Sequence, residues 1–174
     1  MKLRCDLQIN EVQRRLLLVA HASELPDHLA LRLAAIVLFW DYSPSAELSA
    51  KHPALAGQEF TPDCIALDDS GLVKLWVEVG RTTPNKLDKL TKRYPDARLV
   101  VLTGNERDAQ KMRLVADDKV TRGHRLEIWS FKAEDFKEWL AAVREDTYVV
   151  GEAAGHTMNL VVNDVPLAVD LVKF

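Results

Sequence analysis

Thr61-Pro62-Asp63-Cys64-Ile65-Ala66-Leu67, followed after a turn by Lys74-Leu75-Trp76-Val77-Glu78-Val79-Gly80, is the stretch on which the reading of this chain depends. Both halves have strand character, and Asp69-Ser70-Gly71 between them supplies the turn chemistry of a hairpin. Residues two apart on a strand share a face, so Trp76, Glu78 and Gly80 point one way and Leu75, Val77 and Val79 the other. Glu78 thus interrupts an otherwise apolar strand centre, where a carboxylate is costly unless it is paired or bound to a cation. If Asp63 on the partner strand lies close to Glu78, the two form an oxygen-only site suited to Mg²⁺ or Mn²⁺. The competing reading makes them an edge glutamate and a strand-start aspartate.

Composition narrows the classes. At 174 residues the chain is long enough for a proper core, and one domain over residues 1–174 is expected. A net charge of −3 provides no global field for nucleic acid, so binding of that kind needs a local basic patch. Cys5 and Cys64 sit in strand-like runs and read as small buried hydrophobes, with no disulfide framework and no zinc site. The five histidines show no pair at metal-ligand spacing. No signal-type apolar stretch opens the chain, and the most apolar window, Leu29 to Trp40, is too short to span a bilayer. A cytoplasmic protein with no membrane association is expected.

Along the chain, Lys2 to Asn10 alternates as a half-buried strand. Arg14 to Ala22 follows as a second strand, its Leu16–Ala20 run continuously apolar, which predicts a central strand covered on both faces. A largely buried helix follows, with Ser23 as N-cap, Pro26 in its first turn, and Leu29, Leu33, Ile36, Val37 and Trp40 at helical spacing. Ser43 to Gly57 is a connection without periodicity. After the hairpin, Thr83-Pro84 opens a helix to about Tyr94, with Leu87 and Leu90 inward and Lys86, Lys89 and Arg93 on one stripe. Arg98 to Thr103 is a short apolar strand; Asn105 caps a helix to about Ala116, and Asp117-Asp118, like Asp68-Asp69, reads as a turn. Leu126 to Phe131 is a strand, Phe136 to Val143 marks an amphipathic helix, and Thr147–Val150, Thr157–Val162 and Val165–Val172 close the chain, the last two joined through Asn163-Asp164. The order predicts an α/β (α+β) fold, a mixed sheet with helices on its faces.

Pro62-Asp63, 14 residues, then Glu78-Val79-Gly80 resembles the PD-(D/E)xK nuclease-like superfamily. More narrowly, the chain resembles the YaeQ family of bacterial proteins. The likeness includes His21-Ala22-Ser23-Glu24 ahead of the Leu31-Arg32-Leu33 helix, the Leu75–Gly80 string with a lysine-bearing helix after it, and Leu126-Glu127-Ile128-Trp129. The resemblance implies a restriction-endonuclease-like core with extra C-terminal strands and a metal-dependent phosphodiesterase site. In it Asp63, Glu78 and the Val79 carbonyl would hold Mg²⁺ or Mn²⁺, and Glu24 would orient water or a second ion. The lysine that such a site carries two residues beyond the glutamate is Gly80 here. A lysine on the next helix could reach back, Lys89 as first choice and Lys86 as second. The alternatives are a solvated basic stripe for these lysines, and for Glu24 an acid favoured by the helix macrodipole. Arg81 is a surface residue or a phosphate contact. Trp76 either packs or stacks on a base. Ser23 lacks a nucleophile elbow, and no glycine-rich phosphate loop is present. Two functions follow: a divalent-metal-dependent nuclease, or a catalytically degenerate nuclease-fold module that binds nucleic acid or a protein partner.

Overall fold

In the computed structural model, which describes residues 1–46 and 48–174, the strands form two five-stranded mixed sheets with four helices around them. The first sheet contains β1 (Lys2–Ile9), β2 (Val12–Val19), β7 (Asp146–Ala154), β8 (Thr157–Val162) and β9 (Val165–Asp170), in the order β2-β1-β7-β8-β9. The second contains β3 (Cys64–Leu67), β4 (Val73–Val79), β5 (Arg98–Thr103), β6 (Leu126–Ser130) and β10 (Val172–Lys173), in the order β10-β6-β5-β4-β3. The helices are α1 (Pro26–Leu38), α2 (Pro84–Arg93), α3 (Glu106–Lys119) and α4 (Ala133–Ala142). Parallel pairing of β4 with β5 and of β5 with β6 follows from the intervening helices, and β3–β4 is the expected antiparallel hairpin. The one mixed sheet expected from the order of elements is two, because β1 pairs parallel with β7, far along the chain, and recruits the C-terminal hairpins to itself.

Helix α1 explains how the sheets meet. Ten consecutive residues, Leu29 to Leu38, are buried, so no side of the helix from there on faces water. It packs against strands of both sheets and against α4. One apolar cluster accordingly joins Leu3, Leu7 and Val149 of the first sheet, Leu33 and Val37 of α1, and Leu75, Val77 and Val100 of the second. The opposite face of the second sheet, with Trp76, Leu99 and Ile128, packs on Leu87 and Leu90 of α2 and on Ala109 and Ala116 of α3.

Three local expectations are corrected. Strand β2 is an edge strand of alternating burial, Leu18 being buried while Leu17 is 53% exposed. Its apolar run does not mark a sheet centre, because the positive φ of Asn10 and Glu11 folds it back on β1 and, among the described residues, no strand pairs with its other side. The N-cap of α1 is Leu25, without a side-chain hydrogen bond, rather than Ser23; Pro26 alone starts the helix. Asp117 and Asp118 lie inside α3, where Asp117 pairs with Arg113 one turn earlier. The expected caps Thr83 and Asn105 do accept the amides of Lys86 and Asp108. The connection 43–57 includes a short 3₁₀ turn, Pro53–Leu55; Glu47 within it lies outside the described residues.

Candidate functional site

The candidate site lies at the C-terminal end of β4, an end where ligands commonly bind in open parallel sheets. Trp76 and Glu78 share a strand face, and that face is covered by α2. Trp76 is buried, stacks on Tyr94 at a centroid distance of 5.3 Å, and donates its indole N–H to Glu78 Oε1 at 2.6 Å. That side chain packs and holds Glu78; it offers no face to a base. Glu78 Oε2 is 2.6 Å from Lys86 Nζ, which comes from the first turns of α2. Glu78 is 4% exposed, and burial pushes its carboxyl up to about 7 against the pull of the Lys86 charge.

Asp63, immediately before β3, is in the same cavity, of about 630 Å³. Its Oδ2 accepts the Val79 amide at 2.8 Å, and its Oδ1 meets His28 Nε2 at 2.9 Å. The hydrogen bond to Asp63 raises the His28 imidazole above its ordinary range, outweighing the burial of the ring, which lowers it. His28 Nε2 also lies 3.8 Å from Glu24 Oε1. Glu24, before α1 rather than in its first turn, accepts the His21 amide at 2.9 Å and both 3.3 Å contacts of Arg32 Nη1. Arg32 continues to the carbonyls of Val19 and Ala46, tying β2 to the loop that follows α1.

Of the expected site residues, Asp63, Glu78, Val79 and Lys86 line one cavity together. Glu24 joins through His28 and lines an adjoining cavity. Lys89, the first choice for the missing lysine, is turned away: it ion-pairs with Glu59, about half exposed. The physical reason is its position on α2, where the residue one turn earlier, Lys86, is the one above Glu78. Gly80 has φ +70°, a left-handed conformation that a lysine would adopt only under strain. The backbone turn that leads β4 into α2 therefore disfavours any residue but glycine at the position where the sequence resemblance expects a lysine. His28 and Arg32 were missed; the four-residue spacing Glu24, His28, Arg32 leading into a buried helix is the signal that could have found them.

The donor set is hard oxygen, yet all four carboxylate oxygens of Asp63 and Glu78 already meet protein N–H or ammonium groups. Among the described residues no group of three or more His, Cys, Asp or Glu side chains could hold a metal ion. Two carboxylates do fit Mg²⁺, which takes one or two from a protein and completes its shell with water and substrate phosphate. Lys86 and His28 contact the same two carboxylates, at 2.6 Å from Glu78 and 2.9 Å from Asp63.

Fold and cleft together define an α/β protein with two mixed sheets and a carboxylate–lysine cleft at the end of a parallel strand. The family model described as YaeQ protein matches residues 4–164, and the chain belongs to the YaeQ family. The YaeQ protein from Xanthomonas axonopodis pv. citri has a similar crystal structure: TM-score 0.77, 17% identity, 99% of this chain and 96% of that chain covered. The YaeQ protein from Pseudomonas syringae is similar with a TM-score of 0.72 and 13% identity, over 99% of this chain and 94% of that one. At those identities the likeness is one of fold. No curated protein matches the chain. Among the described residues no helix is long and apolar enough to cross a membrane.

Proposed function

We infer that this protein is a divalent-metal-assisted phosphodiester hydrolase of the PD-(D/E)xK kind, with Asp63, Glu78 and Lys86 as its working set. The observation that carries the reading is the 2.6 Å contact of Lys86 with Glu78, in the cavity that Asp63 lines, since it returns to the site the ammonium group that Gly80 cannot provide. Asp63 and Glu78 would hold Mg²⁺ or Mn²⁺ together with the Val79 carbonyl. Such an ion, when bound, supplies neutralisation of a phosphate oxygen and acidification of a water. Lys86 presents positive charge where a phosphoryl group gains negative charge. Glu78, with a carboxyl pushed up to about 7, changes its protonation under neutral conditions, on the oxygen that faces Lys86 in the cavity. Glu24 holds its place through Arg32 and orients His28, which keeps Asp63 turned toward the cleft.

A second reading, a nuclease-fold module that binds a nucleic acid or a protein without cleaving, is favoured by one observation: the carboxylate oxygens are already satisfied by protein groups. Calorimetric titration with Mn²⁺, paired with hydrolysis of bis(4-nitrophenyl) phosphate, separates the two. The hydrolase reading expects binding and turnover in the wild type, loss of binding in Asp63→Ala and Glu78→Ala, and loss of turnover with retained binding in Lys86→Ala. A folded wild type that neither binds Mn²⁺ nor turns over the diester leaves the binding module.

A further inference from the structure

The cavity that Asp63, Glu78 and Lys86 line adjoins another. A second cavity, of about 690 Å³, shares His21, His28 and Arg81 with it, so His28 stands as a partition between two chambers. The second chamber is different in kind. Its wall includes Leu25, Leu31 and Phe136, with Gly80 and Gly104 contributing bare backbone.

Two of these residues are held there against local preference or by a fitted contact. Leu25 is 69% exposed and occupies the N-cap of α1, a position that favours Ser, Asp or Asn because their side chains accept a free amide. The protein forgoes a cap and shows leucine to solvent, a local rule broken at the mouth of a chamber. Phe136 lies against Gly104 so closely that a Cβ there would come within 2.7 Å of the ring. Phe131 buttresses the ring from behind at a centroid distance of 5.3 Å. The ring is a fixed wall.

Charge sorts what each chamber accepts. Around the apolar chamber stand Glu24, Asp27 and Asp108, with Arg81 and two histidines at its shared border. A phosphate is disfavoured among those carboxylates, whereas a flat ring carrying amino groups meets apolar surface and hydrogen-bond acceptors at once. Beyond His28, Lys86 supplies a cation for a phosphate, with Arg81, 3.6 Å from Asp108, at the border between the chambers.

We propose that the apolar chamber takes the base of the nucleotide adjoining the phosphate addressed by Asp63, Glu78 and Lys86, so that the substrate is a single-stranded polynucleotide. This rests on the hydrolase reading for the phosphate's position. A base inside a duplex is stacked and paired and must first leave the stack to enter a chamber, whereas a single strand offers its bases freely.

The test is fluorescence anisotropy in EDTA, so that no cleavage intervenes, with a fluorescein-labelled single-stranded oligonucleotide, as DNA and as RNA, and the corresponding duplexes. The single strand is expected to bind about tenfold or more tighter than the duplex, and Leu25→Ala and Leu25→Glu to lose about tenfold in single-strand affinity, the range of one stacked base. Leu25 is exposed, and circular dichroism checks that both variants fold. Equal affinity for duplex, unchanged affinity in both variants, or no binding of any oligonucleotide by the folded protein overturns the proposal. Turnover of bis(4-nitrophenyl) phosphate, which has no base, would in each of those cases leave the hydrolase reading standing.

Discussion

Glu78 concentrates the electrostatics of the molecule in one side chain. Its folded carboxyl, near pH 7, lies above the ordinary value of 4.5, so the folded protein holds a proton that the unfolded chain has released. Stability from this group is therefore present below about pH 4.5 and declines as pH rises toward 7. Comparing urea unfolding at pH 5 and pH 8, the wild type should lose up to about 3 kcal/mol more than Glu78→Gln across that interval. His28 also loses stabilisation as pH rises, because its folded value is raised. It does so in both proteins, so the difference isolates Glu78. An equal loss in the two would contradict the burial argument. The two lysines make a sharper pair. Lys86→Ala removes the charge that lowers the Glu78 carboxyl and should move it further up, read by NMR titration of labelled glutamate. Lys89→Ala, whose partner is Glu59, should leave the Glu78 titration where it is.

Among the elements, the closing hairpin β8–β9 shows how a turn can lock a sheet to a helix. Asn163 and Asp164 both have positive φ, the geometry of a two-residue hairpin turn that matches strand twist. Asn163 does more than turn the chain: it donates to the Ala142 carbonyl at the end of α4 and accepts the Tyr148 amide of β7, each at 2.9 Å. Asn163→Ala loses both bonds and the left-handed preference together, and should destabilise the fold by about 2 kcal/mol. Asn163→Gly, which restores only the backbone freedom, should recover part of that in the same thermal or denaturant measurement. Gly151 in β7 makes a comparable demand, since a Cβ there would come within 2.1 Å of the Asn159 carbonyl oxygen on β8.

For the whole molecule, α1 is the element whose burial joins the two sheets, and Arg32 is its one buried charge. Arg32 reaches Glu24, the Val19 carbonyl and the Ala46 carbonyl, so its removal strands a buried carboxylate and two acceptors at once. Arg32→Met should cost about 3–5 kcal/mol, the range for breaking a buried pair from one side. Because a single apolar cluster runs through both sheets and α1, calorimetry should show one cooperative transition for residues 1–174, with calorimetric and van't Hoff enthalpies in agreement. Two separated transitions would mean that the sheets fold as independent units.

What could be read from residues alone was what depends on near neighbours. The β3–β4 hairpin, the caps Thr83 and Asn105, the Pro84 start of α2, the buried character of α1 and the placement of Trp76 with Glu78 on one strand face all follow from short-range periodicity and capping chemistry. The YaeQ resemblance, resting on the Leu75–Gly80 string and its surroundings, pointed to the family in which the chain stands. The tertiary structure decided what depends on distant partners. An apolar run such as Leu16–Val19 is compatible with a sheet centre or an edge, and only the absence of a partner on one side makes β2 an edge. The division into two sheets required the β1–β7 pairing across most of the chain. The choice of Lys86 over Lys89 required the packing of α2 on β4, since both residues lie on one helical stripe and only the docking angle selects which of them meets Glu78. His28 is the clearest case, because its partner Asp63 lies on another element and no local pattern brings the two together.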